Sequence, residues 1–105
     1  MSDYNQRLYK MMADTLADFD GSAFGLRRII GEMESLVTCL QAVETPWKKA
    51  VWSKIGTLEE VNAFMLDQER EEMDETDKEI VDKAMNELVL LVNEVVGGWT
   101  GHEDA

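Results

Sequence analysis

Thr45-Pro46-Trp47-Lys48-Lys49-Ala50-Val51-Trp52-Ser53-Lys54-Ile55-Gly56-Thr57-Leu58-Glu59-Glu60-Val61-Asn62-Ala63-Phe64-Met65-Leu66-Asp67 is the stretch that decides the fold class. It opens with a helix start signal, because threonine caps free backbone N–H groups and proline, with no N–H and a helical φ, suits the first helical position. Trp47, Val51, Ile55 or Leu58, Val61 and Met65 follow at steps of three and four, which puts them on one helical face. Lys48, Lys49, Lys54, Glu59 and Glu60 occupy the other, so the element passes from basic to acidic along its length. Gly56, followed by Thr57-Leu58-Glu59-Glu60 in capping-box form, leaves one kinked helix or two shorter ones open, with the kinked helix favoured.

The flanking segments read the same way. Tyr4, Leu8, Met11 or Met12, Thr15 or Leu16, and Phe19 recur at helical spacing over Asp3 to Phe19, and Asp20-Gly21-Ser22 is a turn that ends this helix and caps the next. From Ser22 to about Val43 the residues Leu26, Ile29, Ile30, Met33, Leu36, Val37 and Leu40 form a continuous apolar seam. Gly25 and Gly31 interrupt that helix and suggest close helix crossings, Gly31 above all. Thr76 with Glu79 three residues later has capping-box form before a last helix carrying Ile80 or Val81, Ala84, Met85, Leu88, Leu91, Val92 and Val95, which Gly97-Gly98 should end. No turn-bounded segment alternates with period two. The expectation is an all-α, single-domain antiparallel bundle of about four helices over residues 1–98, with a flexible tail over 99–105.

With 105 residues, 45% of them hydrophobic, the chain can bury a core without disulfides or a structural metal. Its net charge of −12 therefore lies on a folded surface. Such a surplus repels nucleic acid and anionic membranes, favours a monomer and steers cationic partners inward. Cys39 is the single cysteine and falls within an apolar helical repeat, so it reads as a small buried hydrophobe in a reducing compartment. The first twenty residues hold several charges and no apolar core, unlike a secretory signal, and no run is long enough to span a bilayer, so a cytoplasmic location is expected.

Catalytic patterns are sparse. His102 stands alone near the end of the chain, far in sequence from Cys39, and no glycine-rich phosphate loop follows a strand. One enzymatic alternative is an all-helical, metal-dependent nucleotide pyrophosphohydrolase, in which facing helices donate carboxylates at i and i+3, as Glu69/Glu72 and Glu79/Asp82 would. Its pairs are separated by little more than a loop, and no metal or other cofactor is otherwise called for. A helical adaptor or self-assembling protein is the other alternative and requires an exposed apolar patch, with Trp52, Phe64 or Phe24 as candidates.

The concentrated feature is charge. Glu59, Glu60, Asp67, Glu69, Glu71, Glu72, Asp74, Glu75, Asp77, Glu79 and Asp82 are opposed between Glu59 and Asp82 only by Arg70 and Lys78, so this segment holds −9 of the −12. Like charges this close cost stability by repulsion, whereas a plain solvated surface intersperses lysines. These eleven carboxylates are the candidate docking face for a basic protein, which such a face attracts by electrostatic steering.

Phe19-x-Gly21 leading into Leu26-x-x-Ile29 and Leu36-x-x-x-Leu40, then Trp47, Val51-Trp52, Gly56-x-Leu58-Glu59-Glu60-Val61-x-Ala63 and a closing apolar helix, resembles a group of small, acidic, all-helical bacterial immunity proteins of polymorphic toxin and contact-dependent growth inhibition systems. The resemblance spans about residues 16 to 95, and Val51, Ile55 and Asn62 stand where the pattern has a large aromatic, a tryptophan and a tyrosine. It implies a cytoplasmic antitoxin, not an enzyme, that binds a cognate toxin domain, often a nuclease, and blocks its active site. It also implies scaffold positions for Trp47 and Trp52, both expected in the core. It assigns no contact residues.

Overall fold

The computed structural model describes residues 3–40 and 45–104, with side chains placed over 4–40 and 46–96. Four helices fill it: α1 (Asp3–Ala17), α2 (Ala23–Cys39), α3 (Thr45–Asp67) and α4 (Glu75–Asp104). No strand occurs among the described residues. Each helix packs on its chain neighbour and α1 closes the ring against α4. Side-chain bridges give the directions. Thr15 and Asp18 of α1 and its exit turn meet Glu32 and Arg28 of α2. Trp47 and Lys54 of α3 meet Leu91 and Glu87 of α4, so neighbours run antiparallel, as short connections require.

The apolar seams read from the sequence converge on the axis. Met12, Leu26, Met33, Ile55, Leu58 and Leu88 are fully buried, and each such side chain contributes about 1.5–3 kcal/mol relative to exposure. Trp47 packs at the edge of this core, edge-on to Tyr9 with ring centroids 5.6 Å apart, and its Nε1–H donates to the Leu91 carbonyl at 2.9 Å. One side chain thereby joins α1, α3 and α4.

At Gly56 the favoured of the two readings holds: α3 continues as one helix, and the Thr57 hydroxyl donates back to the Ser53 carbonyl at 3.3 Å instead of opening a new helix. Other local expectations are corrected. α4 continues across Gly97-Gly98 to Asp104, because a glycine only permits the left-handed turn that stops a helix and does not compel it. Cys39 is exposed, since the α2 seam passes through Leu36, Val37 and Leu40 and leaves position 39 on the opposite side. Trp52 is 38% exposed, one residue off the Val51–Ile55–Leu58 face. The Thr45 cap lies outside the described side chains.

The start of α2 is built as the turn Asp20-Gly21-Ser22 suggests. Gly21 has a φ of +83°, the Ser22 hydroxyl accepts from the Gly25 N–H at 2.9 Å, and Asp20 Oδ1 accepts from both the Ser22 N–H and its hydroxyl. This Oδ1 lies where a Cβ on Gly25 would stand, whereas Gly31 faces open space and marks no helix crossing. Gly25→Ala is therefore expected to displace the cap and lose about 1 kcal/mol, and Gly31→Ala to gain about 0.5–1 kcal/mol from helix propensity. Thermal melts of the two variants check both signs.

Candidate partner-binding site

The acidic segment is organised by the connection between α3 and α4. α3 ends in a Schellman motif: the Arg70 N–H donates to the Met65 carbonyl at 2.9 Å and the Glu69 N–H to that of Leu66 at 3.0 Å. The left-handed residue at its centre is Glu69, with a φ of +55°, where glycine is the usual occupant. Glu69→Gly is expected to raise stability by about 0.5–1 kcal/mol, because relief of the left-handed strain exceeds the added freedom of the unfolded chain. A shifted urea midpoint at constant slope is the readout.

α4 then opens on a reciprocal cap. The Asp77 N–H donates to Asp74 Oδ1 at 2.8 Å, and the Asp74 N–H donates to Asp77 Oδ2 at 3.2 Å. The box is thus Asp74-x-x-Asp77, not the Thr76/Glu79 pair, because the helix begins at Glu75. Arg70 folds back into this cap. Its Nη1 donates to Asp77 Oδ2 at 2.8 Å and to the Glu72 carbonyl at 3.3 Å, and lies 3.5 Å from Asp74; its Nε donates to Gln68, and its guanidinium sits 5.6 Å over the Phe64 ring. Asp77 is only 4% exposed, and the hydrogen bond from Arg70, more than any other cause, holds its carboxyl below the usual aspartate range.

The eleven candidate carboxylates consequently separate. Asp77 is withdrawn from the surface by Arg70 and the cap; the other ten are exposed. Glu69, Glu71, Glu72 and Asp74 crowd the turn itself. Glu60 and Asp67 stand seven residues apart on the outer side of α3, and Glu75, Glu79 and Asp82 share the outer side of α4. Glu59 turns toward α2 instead, where a side-chain hydrogen bond with Glu34 pushes the Glu34 carboxyl above its ordinary value. Glu59 and Asp82 each lie about 10–12 Å along their helices from the turn, at 1.5 Å per residue, so the acids wrap one end of the bundle instead of forming a flat face.

Glu69 and Glu72 stand in this turn and not on a helix, so the facing-helix arrangement with Glu79 and Asp82 is not formed. Among the described residues no group of three or more His, Cys, Asp or Glu side chains is placed to hold a metal ion. No helix of the described residues is long and apolar enough to cross a membrane. No family profile, curated protein or solved structure matches the chain.

The residue that sequence reasoning passed over as part of this site is Phe24. It is 74% exposed, the highest value among the large apolar side chains described, and borders a cleft of about 390 Å³ with Glu71, Glu72, Met73 and Lys78. Its position off the α2 seam was a signal, since nothing in helix formation asks for phenylalanine there.

Proposed function

We propose that this protein is an immunity protein that binds and blocks a basic toxin domain, with a nuclease as the favoured class. The carrying observation is the acidic end of the bundle, where four exposed carboxylates crowd one turn and others line the adjoining stretches of α3 and α4, while the nearby Arg70 is engaged by Asp77, Asp74 and Phe64. A cation used internally does little to neutralise the surface outside it. The resulting field attracts a positively charged cleft and imitates the phosphates that a nuclease cleft is shaped to accept.

The capping role of Asp74 and Asp77 determines which charges to test. Asp67, Glu69, Glu71 and Glu72 are exposed and their carboxylates take no part in the cap, and a lysine at position 67 even favours the C-terminal end of α3. The test is co-expression and co-purification with the product encoded immediately upstream, followed by association kinetics at low and high salt. Reversing these four charges to lysine is expected to slow association by about two orders of magnitude at low salt while the α-helical signal persists. Binding indifferent to both salt and the reversal would refute the reading.

A further inference from the structure

We propose that the cleft between the first turn of α2 and the α3–α4 connection, lined by Phe24, Glu71 and Glu72, seats an arginine side chain of the basic partner. The inference rests on the partner reading above and specifies how that partner is held. Phe24 carries it. The side chain is three-quarters exposed on a helix whose own apolar seam lies elsewhere, and it lines one cleft with two exposed glutamates from a segment 47 residues later in the chain.

The protein displays the same chemistry internally. Arg70 lies over the face of Phe64 at 5.6 Å while its Nη1 meets the carboxylates of Asp77 and Asp74. A guanidinium suits such a setting because it is planar, weakly hydrated and rich in donors, so it stacks on a ring and bonds carboxylates at once; an ammonium does this less well. At the cleft, phenyl ring and carboxylates are present, and the guanidinium is to come from outside. Lys78, which also lines the cleft, opposes an incoming cation and sets a second, oppositely directed test. An exposed aromatic ringed by polar groups is also the usual composition of an interface anchor.

The probe is an acetylated, amidated tetra-arginine peptide, with tetra-lysine as comparison, titrated at low salt into the ¹⁵N-labelled protein. Expected are amide shift changes centred on residues 21–24 and 71–78, and weaker binding of tetra-lysine. Phe24→Ala should weaken the arginine peptide about threefold to fivefold with an unchanged melt, and Lys78→Met should tighten it. Shift changes spread evenly over residues 59–82, or affinity unchanged by Phe24→Ala, would overturn the proposal. The two readings fail separately: loss of upstream-product binding on charge reversal with indifference of the peptide to Phe24→Ala removes the arginine seat and leaves the acidic docking face. Peptide binding that depends on Phe24, with no salt-sensitive binding of the upstream product, does the reverse.

Discussion

Asp77→Ala is expected to destabilise the bundle by about 3 kcal/mol, the lower end of the range for breaking a buried ion pair by removing one partner. The substitution removes the N3 half of the α4 cap, leaving the Asp74 N–H without its acceptor, and strips Arg70 of its closest carboxylate. Arg70 cannot compensate simply by turning to water. Its side chain is largely covered, its Nη2 is buried and already lacks a partner, and of its carboxylate partners only Asp74 at 3.5 Å remains. Asp77→Asn keeps an acceptor and the shape but not the charge, so about half of the loss is expected.

The pH dependence follows from the depressed carboxyl of Asp77. Its stabilising contribution is fully present above the unfolded aspartate value and disappears as pH falls through the lower folded value. The stability gap between the natural protein and Asp77→Asn should therefore be widest near neutrality and close below about pH 4. Urea unfolding at neutral and acidic pH measures it; a gap that stays constant would mean the ion pair contributes nothing and the cap alone matters.

Trp47→Ala carries an effect of similar size, about 3 kcal/mol or more for removing a large aromatic from the core margin. Trp47→Phe isolates the polar part: the ring contact with Tyr9 persists, the bond to the Leu91 carbonyl is lost, and about 1 kcal/mol should go with it. Trp52→Ala, at an exposed position five residues on, should stay within about 0.5 kcal/mol. Denaturant midpoints for the three variants test the ranking, and equal losses at positions 47 and 52 would contradict it.

These two tryptophans show how far periodicity reaches. Both sit in one apolar-rich helix, and spacing alone places Trp47 on the Val51–Ile55 stripe without saying whether Trp52, at the border, is covered. Coverage depends on the neighbouring helix, and α3 turns only its Val51, Ile55, Leu58, Val61 and Met65 side fully inward. Cys39 follows the same logic beside Leu40. The capping box expected at Thr76, like the one left open at Thr57, does not form for another reason: the pattern Ser/Thr-x-x-Glu recurs by chance in an acidic helical chain, and only the backbone decides which candidate stands at a helix start. At Asp74 the same box was present in aspartates.

Of the candidate site, the concentration of charge was legible because it is a property of composition along the chain. The exposure of each carboxylate was not. Asp77 is indistinguishable from Glu75 or Glu79 by charge and position in an acidic run, yet it is buried by an arginine seven residues earlier that the α3 terminus folds back over the α4 start.

By itself, the sequence determined four amphipathic helices, the turn at Asp20-Gly21-Ser22, the α2 seam and a −9 segment between Glu59 and Asp82. Helical period and turn chemistry are local, so they can be read residue by residue. Only the tertiary structure decided that Arg70 faces inward, that Asp77 is withdrawn with it, and that Phe24 lines one cleft with Glu71 and Glu72. Those are meetings of chain segments that local rules do not bring together; they exist because packing four apolar stripes on one axis carries the turns at one end of the bundle into contact.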